Sequence, residues 1–327
     1  MVMQELTYRD ALKSALQEEM RRDPTVFVMG EDVGKFGGIF GVTAGLMEEF
    51  GEQRVRDTPI TEAGIAGAAV GAAMVGTRPV AEIMFIDFMT IAMDQVVNQA
   101  AKMHYMSGGK LKVPMVIRTV NGTGRRTAAQ HSQSFEAWFA HVPGLKVVMV
   151  SDPANAKGLL KSAIRDENPV IVIEHKMLYN DKGLVPDGEY LIPLGKAEVK
   201  RPGKDITVIA TSIMVKRSLE AAEKLQAEGI DVEVIDPRSI RPLDIETILA
   251  SVAKTNRVLI VQEAPVFAGF GAEIAATIAE RALYDLDCPV ARLGGWESPV
   301  PFSPSLEDAI VPNGERIAEK IRSMVQP

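Results

Sequence analysis

One pattern narrows the fold more than any other: short apolar runs alternate with helical stretches, stop, and then start again. Val26–Met29, Pro79–Phe85, Lys112–Val120, Lys146–Val150 and Pro169–Glu174 read as strands, and Arg54–Asp57 as a shorter one. They carry few polar positions, as strands covered on both faces do. Helices are predicted between them at Thr7–Arg22, Gly41–Phe50, Phe88 to about Tyr105, around Phe135–Ala140, and from Asp152-Pro153 to Arg165. Thr7 with Asp10 has the form of a capping box, and Asp152 followed by Pro153 is a strong helix start. From His175 to Lys204 the alternation gives way to turn signals, Asp181-Lys182-Gly183, Pro186-Asp187-Gly188 and Pro202-Gly203. It resumes with strands at Ile206–Thr211, Val232–Ile235, Val258–Gln262 and Val290–Leu293, and helices at Met214–Glu228, Asp244–Lys254 and Gly271–Tyr284. The pattern predicts an α/β protein of two domains, each a mainly parallel sheet with helices on both faces. The expected boundaries are 1–180 for the first domain, 181–204 for a linker and 205–327 for the second.

Composition removes several classes of function. A net charge of −7 and the lack of a basic run argue against nucleic acid. The single cysteine, Cys288, excludes an intrachain disulfide and a multi-thiolate metal site. His104, His131, His141 and His175 show no HxxxH or HExxH spacing. The longest small and apolar run, Ala63–Gly76, is too short to span a bilayer. No signal or transit peptide is read at the N-terminus, so the expected location is cytoplasmic. The glycine loops Gly34–Gly41 and Gly269-x-Gly271 lack the strand, GxGxxG and acid spacing of a dinucleotide site and read as turns.

The chemistry concentrates between Asp57 and Lys102. Glu62 heads a helix of small residues, Ala63 to Ala73 with glycines at 64, 67 and 71. Each glycine costs a helix about 1 kcal/mol relative to alanine, which close approach of a second backbone offsets. Met84, Phe85 and Phe88 form an apolar wall at the end of the next strand, and a carboxyl held against such a wall is pushed toward neutral pH. His131 lies in a polar stretch, Gln130-His131-Ser132-Gln133, after a strand, where α/β proteins bind ligands.

These residues resemble the beta subunit of the thiamine-diphosphate-dependent dehydrogenase component of 2-oxo acid dehydrogenase complexes, of pyruvate, branched-chain or acetoin type. The resemblance covers essentially the whole chain. It rests on Met29-Gly30-Glu31-Asp32-Val33, Asp57-Thr58-Pro59-Ile60-Thr61-Glu62-Ala63-Gly64, Asp94-Gln95-Val96-Val97-Asn98-Gln99-Ala100-Ala101-Lys102, Gln130-His131-Ser132-Gln133, Pro143-Gly144-Leu145-Lys146, Ala156-Lys157-Gly158-Leu159-Leu160, Asp236-Pro237-Arg238-Ser239 and Pro299-Val300-Pro301-Phe302, in that order.

The resemblance implies a transketolase-like pyrimidine-binding domain followed by a transketolase C-terminal-like domain. It implies that Glu62 hydrogen-bonds the aminopyrimidine ring of thiamine diphosphate and promotes its reactive tautomer. Ile60, Met84 and Phe88 match positions lining that ring, Phe88 as the stacking aromatic. His131 matches the histidine near the reacting carbons, serving proton transfer or acceptance of the lipoyl group. Met115, Ala163, Ile164, Asp166 and Asn168 match a structural potassium site made mostly of backbone carbonyls. Met84 replaces a glutamine found in some members, so one hydrogen bond to the cofactor is lost.

No Gly-Asp-Gly followed by Asn-Asn is present. The magnesium and diphosphate half of the site therefore falls to an alpha subunit in an α2β2 heterotetramer. The implied activity is decarboxylation of a 2-oxo acid, pyruvate foremost, with acyl transfer to the lipoyl domain of a dihydrolipoyl acyltransferase core. Acetoin and branched-chain types are the alternatives, and a stand-alone transketolase-like enzyme is a more distant one. A partner that only docks the acyltransferase core is the rival from a non-catalytic class.

Overall fold

A computed structural model describes residues 2–325 and forms two compact units. One comprises the chain up to Asn121 with Trp138–Leu194. The other comprises Gly122–Ala137 with the chain from Gly195 onward.

In the first unit, β1 (Met3–Thr7) leads into α1 (Tyr8–Arg22). Thr7 caps this helix, accepting from the Asp10 amide at 3.1 Å while its hydroxyl donates to the Asp10 carboxylate at 2.6 Å. The stripe Ala11, Leu12, Ala15, Leu16 and Met20 is buried. The chain continues through β2 (Val26–Gly30), α2 (Leu46–Phe50), β3 (Val55–Asp57), α3 (Glu62–Met74), β4 (Arg78–Ile83), α4 (Met103–Met106) and β5 (Val116–Asn121). Beyond the short α5 (Glu136–Ala140) come β6 (Lys146–Met149), α6 (Pro153–Arg165), β7 (Val170–His175) and β8 (Lys182–Pro186). Asp152 caps α6 by accepting from the Asn155 amide at 2.9 Å.

The main sheet of this unit has the order β6-β7-β5-β4-β2-β3, all parallel. From β2 the chain crosses outward to β3, then back past β2 to β4. That reversal leaves the loops after β2, β3 and β4 side by side at the carboxyl edge, the place where open α/β sheets bind ligands.

The second unit contains β9 (Glu198–Arg201), β10 (Ile206–Ala210), α7 (Ile213–Gln226), β11 (Val232–Asp236), β12 (Ser239–Arg241), α8 (Ile245–Thr255), β13 (Val258–Pro265), α9 (Phe270–Arg281), β14 (Ala291–Gly295), α10 (Pro304–Ile310) and α11 (Gly314–Val325). Its sheet runs β14-β13-β10-β11-β9, parallel except for β9. The apolar strands β10, β11 and β13 form its center and are almost wholly buried.

The structure departs from the sequence reading in four places. The predicted helix over Gly41–Phe50 begins only at Leu46, because Gly41 and Gly45 adopt left-handed backbone (φ 75° and 84°). The predicted helix from Phe88 to Tyr105 is a 3₁₀ turn (Ile86–Thr90), a π turn (Gln95–Ala100) and α4. Gly144 there presses on the Ala101 carbonyl so closely that a Cβ would lie 2.0 Å from its oxygen, so packing overrides helical propensity. The strand predicted from Lys112 starts at Val116, past Pro114, which has no N–H to give a ladder. The boundaries differ too. The stretch read as a linker holds β8, paired antiparallel with β1, and β9, paired with β11. Residues 122–137, read as part of the first domain, belong to the second unit.

Candidate functional site

The three neighbouring loops of the first unit hold four of the predicted residues, Ile60, Glu62, Met84 and Phe88. Glu62, the first residue of α3, is 7 % exposed. Among the described residues nothing forms a hydrogen bond or ion pair with its carboxylate. A carboxylate at the head of a helix that makes no bond to its own chain is open to a donor from a ligand.

Glu31, after β2, is a second acid there that the sequence reading used only as part of a motif. Burial raises its pKa, and the charges of Glu62, Asp32 and Glu82 raise it further. Asp57 holds the glycine loop shut, accepting from the Gly34 amide at 2.6 Å and the Lys35 amide at 3.2 Å.

The apolar wall exists. Phe85 and Phe88 meet edge to face with centroids 5.8 Å apart, and Met84, Phe85 and Phe88 are each half-buried. Phe40 meets Phe85 edge to face at 5.9 Å and stacks on Tyr179 at 4.8 Å. The Lys176 ammonium stands 5.1 Å from the Phe85 ring centroid. Ile60 is on the same edge and is 81 % exposed in the chain alone.

Below the wall lies a buried charge network absent from the sequence reading. Arg118 on β5 donates to both oxygens of Glu174 on β7 at 2.7 and 2.9 Å, and to Glu82 on β4 at 2.6 Å. The Tyr179 hydroxyl donates to Glu174 at 2.7 Å. Burial alone would lower the Arg118 pKa, but Glu174 and Glu82 more than reverse this, so it stays a cation. Burial raises the Glu82 pKa against the pull of Arg118. The available signal was a charge, Glu82, Arg118 or Glu174, within each of three mainly apolar strands. Such a network, with every member paired, fixes strand register under a site.

His131 falls in the second unit, on the loop between β5 and α5. Its amide donates to the Ala128 carbonyl at 3.4 Å, and its carbonyl accepts from the Thr127 hydroxyl at 3.1 Å. Beside the loop is a cleft of about 550 Å³ lined by Gln130, Ser132, Gln133, Glu263 and Trp296, among others.

The five residues matched to a cation site share one corner of the first unit. Met115 precedes β5, Ala163 and Ile164 end α6, and Asp166 and Asn168 lead into β7. The Ile164 and Asp166 carbonyls accept from Arg78 at 3.1 and 3.0 Å, the Ala163 carbonyl from the Asp166 amide at 3.2 Å, and the Met115 carbonyl from the Val170 amide at 3.0 Å. These are hard oxygen donors near the carboxyl end of α6, and two of them already face the Arg78 guanidinium. Among the described residues no group of three or more His, Cys, Asp or Glu is arranged to hold a metal ion, and no described helix is long and apolar enough to cross a membrane.

Known proteins place this arrangement. Residues 4–182 match the transketolase pyrimidine-binding domain and residues 195–317 the transketolase C-terminal domain. A solved split-gene transketolase, an inactive beta4 tetramer, shares the fold with a TM-score of 0.81 over 98 % of both chains at 24 % identity. At much higher identity stand three beta subunits. The chain is 48 % identical to the mitochondrial pyruvate dehydrogenase E1 component subunit beta of Dictyostelium discoideum, covering 98 % of this chain and 92 % of that one. It is 47 % identical to the 2-oxoisovalerate dehydrogenase subunit beta of Bacillus subtilis, over 99 % and 100 %. It is 48 % identical to the acetoin:2,6-dichlorophenolindophenol oxidoreductase subunit beta of the same organism, over 95 % of each. The chain belongs to the beta subunits of the 2-oxo acid dehydrogenase E1 components.

Proposed function

We propose that this chain forms the pyrimidine side of a thiamine diphosphate site in an α2β2 enzyme, with Glu62 the catalytic acid of that side. The observation that supports the reading is Glu62 at the head of α3, 7 % exposed and without a hydrogen bond or ion pair to its carboxylate among the described residues. The cofactor, when bound, supplies a carbanion that attacks the substrate carbonyl and takes up the electrons of decarboxylation. Glu62 holds the ring nitrogen of the pyrimidine by a hydrogen bond made strong by low dielectric. Phe88 stacks on the ring, Ile60 and Met84 line it, and the wall excludes water. His131 serves proton transfer near the reacting carbons, or acceptance of the lipoyl group.

The alpha subunit contributes the magnesium and diphosphate side. The five-carbonyl corner of Met115, Ala163, Ile164, Asp166 and Asn168 takes potassium as a structural ion. The acyl group passes to the lipoyl domain of a dihydrolipoyl acyltransferase core. Pyruvate is the substrate proposed first, with acetoin and branched 2-oxo acids as the alternatives that near-equal identities leave open.

The test is reconstitution with the alpha subunit and assay of pyruvate, branched 2-oxo acids and acetoin with an artificial electron acceptor. Turnover should need both chains. Equal turnover by the isolated chain with thiamine diphosphate and magnesium would contradict the shared site.

A further inference from the structure

The loop carrying His131 is held in a way its sequence does not announce. Its base is closed by the Gly122 amide donating to the Gln133 carbonyl at 3.1 Å. Inside the loop, two acids from far along the chain grip the backbone. Glu263, on β13, accepts from both the amide and the hydroxyl of Thr123, at 2.8 and 2.7 Å. Glu307, on α10, accepts from the Gly124 amide at 2.8 Å, the Arg126 amide at 3.3 Å and the Arg126 guanidinium at 2.6 Å. Asp308 takes the other side of that guanidinium at 2.8 and 2.9 Å.

Glu263 is 8 % exposed and Glu307 1 %. Two buried carboxylates committed to the amides of one short loop are an expensive arrangement, repaid by hydrogen bonds to ionised acceptors, which are about twice as strong as neutral ones. The loop needs such holding. Arg126 and Ala128 both stand in left-handed backbone, φ 57° and 60°, which side chains other than glycine resist. Thr127, between them, then donates to the His131 carbonyl at 3.1 Å and shares a hydrogen bond with the Ser132 hydroxyl at 3.0 Å. The hold at residues 123–126 is thereby carried to His131 itself.

We propose that Glu307 and Glu263 are positioning residues for His131, two buried carboxylates that hold the backbone of residues 123–126 and so fix where the His131 side chain stands. The proposal rests on the reading of His131 given above, and its test separates the two. In the reconstituted tetramer, Glu307→Gln sets a carboxamide against Arg126 and removes the charge. Hydrogen exchange of the amides at 123–126 should speed up at least tenfold. The kcat should fall by about tenfold or more, while the KM for thiamine diphosphate stays within about twofold because the Glu62 side is untouched. His131→Ala, assayed in parallel, should lose kcat with the same unchanged KM.

Fast exchange at 123–126 with a normal kcat would overturn the proposal, as would a KM for the cofactor rising in step with the fall in kcat, the mark of general damage. Normal turnover by His131→Ala would show that the reading of His131 had failed, and the proposal would fall with it. Should Glu307→Gln not assemble, Thr123→Val removes one donor to Glu263. It should show the same split at about a threefold loss of kcat, and an unchanged kcat in that variant would overturn the proposal.

Discussion

Single residues carry the sharpest physical consequences. Glu136 is fully buried on α5, and burial pushes its carboxyl up to about 7, its own amide opposing this and Glu263 adding to it. The unfolded chain releases this proton near 4.5, the folded chain near 7. The folded state therefore binds the extra proton between those values, and stability falls as pH rises from about 4.5 to 7, then levels. Glu136→Gln should remove that slope and be more stable at pH 8 by on the order of 3 kcal/mol, with no difference below pH 4. Urea midpoints across this range check it, and parallel curves for the two proteins would contradict it. Glu174→Gln breaks the network around Arg118 from one side and should cost about 3–5 kcal/mol, because a buried guanidinium loses its main partner. Thermal melts of the two forms test this. Glu62 was legible in the sequence, since an acid heading a helix of small residues is conspicuous. Glu82, Arg118 and Glu174 were visible only as isolated charges in apolar strands. Their pairing is set by the order β4-β5-β7, which no local pattern encodes.

At the scale of elements, local rules read α1 and α6 well because both caps and both apolar faces agree with the final packing. They read 86–106 poorly, a stretch whose backbone at Ala101 is met by Gly144 from far along the chain. Gly144→Ala should destabilise by more than about 1 kcal/mol, since its φ is 103° and its Cβ would meet backbone at 2.0 Å. Gly76→Ala, with φ 99° and nothing within 4 Å, should cost distinctly less. Equal losses in denaturant titrations would contradict the role given to the close approach. Helix α3 shows a second limit. Ile65, Ala66, Ala69, Val70 and Ala73 are its buried face. Gly64, Gly67, Ala68, Gly71 and Ala72 lie on the other side, exposed or half-exposed. The sequence marked a face made for close approach; among the described residues Gln95 comes close at Gly67, and at Gly71 nothing lies within 4 Å of a Cβ.

For the whole molecule, the two-domain α/β architecture was legible from alternation alone, and the family from the order of its motifs. The seat of the His131 loop was not, because strand alternation cannot say which unit a long polar loop packs with. The open face of α3 fits an assembled enzyme, and Gly71→Leu tests this. Nothing lies within 4 Å of a Cβ at Gly71, so the chain's own melting should barely change while tetramer formation is lost, as followed by sedimentation. An intact tetramer would contradict that use of the face. Glu62 is the residue proposed to drive the cofactor half of this site. The measurement that bears on it most directly is turnover of the reconstituted tetramer carrying Glu62→Gln, with assembly verified beside it. A normal tetramer with turnover abolished is expected; a normal tetramer with near-normal turnover would contradict this role for Glu62.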